Sequence, residues 1–130
     1  MRPEIVVARG RRAAERLMTQ QCQIERVGDL VTDKNTGKVT NVRSRVYAGK
    51  CKVQSSEVQP VGADTAGLAV TVARLEVHVP VGACQVRPGD IVTVTQSPVD
   101  DRFVGKQYRV TLPAPVKAYA TADRHQVEEL

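Results

Sequence analysis

Two hydrophobic rhythms divide this chain. From Glu4 to Gln21 the residues Val7, Ala14, Leu17, Met18 and Gln21 recur at three- and four-residue steps, which predicts a helix. Arg9, Arg12 and Arg16 form a second row at the same spacing, so one face can pack while another displays guanidinium groups. Pro3 suits the first turn, whereas Gly10 weakens the middle and allows a bend. Beyond the helix the rhythm shifts to alternation. Gln23 to Val27 is extended, and Val46 to Val53 places Cys51 and Val53 on one strand face opposed to Lys50 and Lys52.

Leu68 to Val79 carries the longest strand signal: Leu68, Val70 and Val72 alternate, then Leu75, Val77 and Val79 in the opposite phase, which predicts a β-bulge near Ala73 and Arg74. Arg87-Pro-Gly-Asp90 is a turn that launches the strand Ile91–Thr95, and Gln107–Leu112 supplies another. Val116–Tyr119 and His125–Glu129 are shorter strand candidates. Between these elements lie two stretches poor in large apolar residues. Asp29 to Arg45 contains the turn signal Asp33-Lys-Asn-Thr-Gly37 and is a hairpin tip or a long loop; Gln54 to Gly67, with Pro60 and Gly62, reads as a second loop. Five to seven short antiparallel strands predict a mainly β fold, a small antiparallel β-barrel or sandwich with long loops and one N-terminal α-helix. The 130 residues suit a single domain, 1–130, with a helix over 4–21 and a β body over 22–130.

Composition sharpens the picture. With one Phe, three Tyr and no Trp, Val must carry much of the core, and a body packed by small side chains gains from a permanent partner. Charge is unevenly placed: residues 1–54 hold 12 Lys or Arg against 5 Asp or Glu, and residues 55–130 hold 7 against 9. A basic front end ahead of a mildly acidic strand-rich body fits a protein that faces a polyanion and holds neighbouring proteins. The N-terminus does not read as a signal peptide, and no apolar run approaches the roughly 20 residues that span a bilayer, which predicts a cytoplasmic protein without membrane contact.

Candidate chemistry is sparse. Cys22, Cys51 and Cys84 are widely spaced and read as three buried thiols; neither His78 nor His125 stands at a ligand spacing from a Cys, so no metal or cofactor is expected. His78, between Val77 and Val79, is expected to face solvent. No phosphate-binding glycine loop, zinc-protease helix or nucleophile elbow occurs, and no catalytic residue can be named. Asp100 and Asp101 are adjacent and suit turn and capping work. The arginine row, with Lys34, Lys38, Arg43 and Arg45, is the candidate surface for nucleic acid or an acidic protein. Without a helix-turn-helix, zinc finger or aromatic platform, any DNA contact is expected to be electrostatic and indifferent to sequence.

Several blocks resemble a known family. They are Arg9-Gly-Arg-Arg-Ala-Ala-Glu-Arg-Leu-Met18 followed by Cys22-Gln-Ile, Val46-Tyr-Ala-Gly-Lys-Cys-Lys-Val-Gln54 and Arg87-Pro-Gly-Asp-Ile-Val-Thr-Val94. Ser97-Pro-Val-Asp-Asp-Arg-Phe-Val-Gly-Lys-Gln-Tyr-Arg-Val110, Lys117-Ala-Tyr-Ala-Thr-Ala-Asp-Arg124 and Val127-Glu-Glu-Leu130 complete the series. Together they resemble the small head-closure proteins of tailed bacteriophages, also called head-to-tail stoppers or head-tail adaptors. That resemblance implies a compact β-barrel in a homo-oligomeric, dodecameric ring at the virion neck, made in the bacterial host cytoplasm. Its partners would be the portal-adaptor protein, the tail terminator or tail tube proteins, and packaged double-stranded DNA. The loops at Asp29–Arg45 and Gln54–Gly67 become candidates for the channel or the adaptor contact, and Asp100, Asp101, Arg102 and Phe103 for a subunit or tail contact. Two other readings stand beside it: a tail terminator or other neck ring protein, and a freestanding non-specific nucleic-acid-binding module. An enzyme is the least supported class.

Overall fold

Alternating side chains make a two-faced strand, and a closed ring of such strands buries one face of each. The structure, a computed structural model, describes residues 2–58 and 72–130. Its helix α1 spans Pro3–Arg16, and the strands are β1 (Gln20–Thr32), β2 (Val39–Val58), β3 (Val72–Val79), β4 (Ile91–Gln96), β5 (Gln107–Leu112) and β6 (Asp123–Glu129). A single 3-10 turn, Asp101–Phe103, lies between β4 and β5. All strand pairs are antiparallel, and they close in the order β1-β2-β3-β6-β5-β4 into a barrel.

The inward side chains form one core: Cys22, Ile24, Cys51, Val77, Val79, Val86, Val92, Val94, Tyr108, Val110 and Val127. Seven of these eleven are Val, so the expected valine packing is what fills the barrel. Tyr108 is the one large aromatic wholly inside, and Val46, Tyr47, Val53, Leu75 and Phe103 pack around the margin.

Several expectations change. The helix ends at Arg16, five residues short of Gln21, because Gln20 is captured by the barrel: its Nε2 donates to Ser97 Oγ at 3.1 Å and its Oε1 accepts from the Val53 amide at 2.8 Å. The β body therefore starts at Gln20. Of the residues assigned to the packed helix face, Met18 is buried and Val7 and Ala14 are half-buried, whereas Leu17 is 61% exposed. α1 runs unbroken through Gly10, which lets the loop before β6 approach: a Cβ there would stand 2.9 Å from the Thr121 methyl. No bulge occurs at Ala73 and Arg74, since the β2–β3 register runs unbroken from Lys52↔His78 to Val58↔Val72. Leu68 and Val70 lie outside the described residues, as do positions 59–67 of the expected second loop, while Gln54–Val58 belong to β2. Val116–Tyr119 is irregular, preceded by Pro113 and Pro115, with Tyr119 in the left-handed region at φ 62°.

One charge is buried deliberately. Asp90, 2% exposed, sits at the end of the Arg87–Asp90 turn, where its carboxylate accepts from the Arg87 amide at 2.8 Å. Arg26 reaches across from β1 and forks onto both oxygens at 3.2 Å, with its other nitrogen contact on the Gln85 carbonyl at 3.1 Å. Backbone bonds from Gly89 to Val110 and from Val110 to Asp90, each 2.8 Å, fasten the same turn to β5. Removing one partner of such a pair leaves the other desolvated. Arg26→Ala is expected to lower stability in urea unfolding by about 2–3 kcal/mol, below the fully buried figure because Arg26 is part exposed. Arg109→Ala, whose partner Glu128 is exposed, should cost under about 1 kcal/mol. Equal losses would contradict the structural role given to Asp90.

Candidate functional site

The basic residues lie on two extensions of the barrel. On α1, Arg9, Arg12 and Arg16 are all exposed and share a face by their spacing. The helix buries none of its own residues and is tied down by a few polar contacts: Arg11 Nε donates to the Ala120 carbonyl at 3.0 Å, and Glu15 pairs with Lys50 at 2.9 Å. Arg11, outside the row, is thus the arginine committed to the body. Ile5, Val6 and Leu17 remain exposed along α1.

The second extension is a β-ribbon arm. β4 pairs with β1 only over Gln21–Glu25, and β3 pairs with β2 only from Lys52 onward, so beyond Glu25 the β1–β2 hairpin leaves the barrel as two strands. The residues expected as a hairpin tip or loop are therefore a hairpin. Its turn is built as its sequence predicts: Asp33 Oδ1 accepts from the Asn35 amide at 2.8 Å, the Gly37 amide donates to the Asp33 carbonyl at 2.8 Å, and Gly37 has φ 70°. The Asn35 amide, followed by the side chain and amide of Thr36, holds the Asp33 carboxyl below its usual pKa. Register shifts at Ile24/Glu25 and Val27/Leu30 bend the arm. Lys34, Lys38, Arg43 and Arg45 are exposed on it, and so are Leu30 at 71% and Val39 at 54%. Val31 and Val42 are exposed as well.

Asp100, Asp101, Arg102 and Phe103 stand at the other end of the barrel, because the arm leaves where β4 begins and the 3-10 turn follows where β4 ends. Asp100 caps the turn by accepting from the Arg102 amide at 3.1 Å, and the Arg102 guanidinium grips its carboxylate at 2.7 Å. Those Arg102 bonds lower the Asp100 pKa to about 2. Asp101 is exposed, and Phe103 packs half-buried against the core. The structure therefore does not gather the predicted site residues into one cleft. It sets two basic extensions apart from a mixed-charge end.

Burial disfavours the charged forms of Cys22, Cys84, His78 and His125. The Cys22 thiol, hydrogen-bonded to Cys51 in the core, has its pKa pushed up by that bond and by burial. Cys84 is half-buried rather than buried, and burial, reinforced by Asp123 and Asp90, pushes it up to about 11. It lines a cavity of about 410 Å³ with His125, whose Nδ1 accepts from the Ala114 amide at 2.9 Å while Nε2 is buried without a partner. His78 is buried too, against expectation, with Nε2 3.0 Å from Glu76. Both groups on that cavity's lining, Cys84 and His125, are shifted away from their charged forms, the reverse of the shift that activates a nucleophilic cysteine. Among the described residues, no three His, Cys, Asp or Glu side chains are grouped to hold a metal ion, and no helix is long and apolar enough to cross a membrane.

A family model described as a family of unknown function, DUF6093, matches residues 10–128. The chain belongs to the DUF6093 family. The match takes in the second half of α1, the arm and the barrel as far as Glu128, so the arm falls within the family's extent while α1 does so from Gly10 onward. No curated protein and no solved structure matches the chain.

Sequence reasoning missed Arg26 and the apolar residues of the arm. A lone Arg in step with Cys22 and Ile24 on an alternating strand was the available signal for Arg26.

Burial lowers the pKa of His125 and, against the opposing effect of Glu76, that of His78, from the usual 6.5. Below that value the unfolded chain binds these protons before the folded one, so stability is whole above about pH 6.5 and declines as pH falls further. Thermal melts should therefore drop between about pH 7 and about pH 5, and His125→Gln should flatten part of the slope. A wild-type melting temperature constant over this window would refute the neutral, buried assignment.

Proposed function

We propose that this chain is a structural component of the tailed-phage virion neck. It forms a homo-oligomeric ring between the portal-adaptor and the tail, closes the DNA-filled head and offers the tail a docking surface. The observation that carries this reading is the separation of core from charge. The small barrel is complete in itself, and its candidate contact cations stand on α1 and the arm, where they meet other molecules instead of converging on a pocket. The resemblance of Arg9–Met18, Val46–Gln54 and Ser97–Val110 to head-closure proteins points the same way.

The electrostatics suit a duplex that passes without being read. Phosphate contact by Arg and Lys is sequence-independent and screened by salt. Stacking would need exposed aromatics, yet Tyr108 is buried and Tyr47 and Phe103 are half-buried, which leaves Tyr119 as the exposed ring. A ring would concentrate many weak cationic surfaces around one axis. The same positions also suit an acidic face of the adaptor, in which case α1 is a docking helix.

Replacing Arg9, Arg12 and Arg16 together by Glu should leave the melting temperature near wild type, because none of the three is buried. It should sharply reduce the yield of particles that retain DNA. Particles completed at normal yield, with their DNA held, would remove the row from the mechanism. A purified chain that bound short duplex tightly and with a steep salt slope would instead favour the freestanding nucleic-acid-binding module.

A further inference from the structure

The arm is an element without a described partner on either face. From Arg26 to Thr32 and from Val39 to Cys51 each strand pairs on one side alone, so both outer edges carry backbone groups that lack a strand partner. Leu30 and Val39 lie diagonally on one face of the ribbon, and Val31 and Val42 on the other. A two-stranded ribbon is marginal by itself. Apolar residues on both faces suit insertion against protein better than contact with phosphate.

The charge on the arm narrows the occupant. Lys34, Lys38, Arg43 and Arg45 outnumber Asp29 and Asp33, so two arms repel each other and edge-to-edge pairing of like ribbons is disfavoured. The opposite end of the barrel offers the complement. There a cavity of about 260 Å³ has apolar walls from Leu75, Phe103 and Tyr108, with the paired charges of Asp100, Arg102, Lys106 and Glu129 around them. Asp101 is exposed beside it, and Val99, just before the turn, is 80% exposed. Asp100 and Glu129 are already paired with Arg102 and Lys106, so an arm lysine competes for them, whereas it meets exposed Asp101 directly.

We propose that the arm of one chain docks into the cavity beside Asp101 on a second copy, with Leu30 on its apolar walls and the arm lysines on its carboxylates. The contact joins different surfaces of the two copies, head to tail. Such contacts run on as filaments unless each step turns. Register shifts at the base of the arm and within it are of the kind that bends a strand, which would give each step its turn. The inference rests on the ring reading for its choice of a second copy, but it concerns the purified chain alone.

The test uses two variants of the full chain: an arm variant, Leu30→Asp with Lys38→Glu, and a cavity variant, Val99→Lys with Asp101→Lys. All four positions are exposed, and circular dichroism and thermal melts verify that both variants fold. In sedimentation velocity at low salt, wild-type chain should self-associate with rising concentration, and each variant alone should associate at least about tenfold more weakly. Mixed together, the variants should form a one-to-one complex and nothing larger, because the cavity variant still has an arm and the arm variant still has a cavity. A wild-type chain monomeric at the highest attainable concentration would overturn the proposal. So would variants that associate normally, a mixture that gives no complex, or an arm variant whose sole defect is weaker duplex binding. Complementation in the mixture, alongside neck-less particles that assemble normally, would sink the neck role and leave this contact standing; the reverse pattern would sink the contact alone.

Discussion

Closure of the six-stranded ring is the constraint from which the other features follow. An open sheet of this size would have two edges and could recruit neighbours by adding strands. Once β4 and β1 are joined, most of the barrel's strand edges are paired, β2 from Tyr47 to Cys51 excepted, and its apolar face is enclosed around Val77, Val79, Val92, Val94 and Val110. Association must then use what closure leaves outside: the helix, the arm and the loops at either end. This is why a chain with so plain a core carries its distinctive residues on extensions.

The Arg26–Asp90 pair sits at the junction of these two parts. It lies where β1 passes from the barrel into the arm and where the Arg87–Asp90 turn starts β4. The guanidinium bridges β1 to the turn and to Gln85 at once, which ties the base of the arm to the start of β4. A charge-assisted contact suits this place, since it specifies orientation where valine packing alone would tolerate slippage.

Local chemistry made much of this legible. The Asp33–Gly37 turn, the Arg87–Asp90 turn and the strand Gln107–Leu112 appear where their turn residues and alternation put them. Long-range contacts hid the rest. The end of α1 is set by Gln20 bonding to Ser97 and Val53, partners far away in sequence. The arm was ambiguous because strand reading looks for one buried face, and a ribbon exposed on both sides has none. Charged positions were legible as a surface, but their distribution between α1 and the arm depends on where the barrel releases each segment. His78 was misjudged for a related reason: alternation predicts which face a residue occupies, not what covers that face.

Amide hydrogen exchange on the free chain and on the ring we propose addresses the central claim, that a finished barrel presents extensions for its neighbours to complete. The account predicts strong protection of the barrel amides in both states, with rapid exchange along the outer edges of Arg26–Thr32 and Val39–Arg45 in the free chain that slows on assembly. Arm amides as protected in the free chain as those of the barrel, or unchanged by assembly, would contradict it.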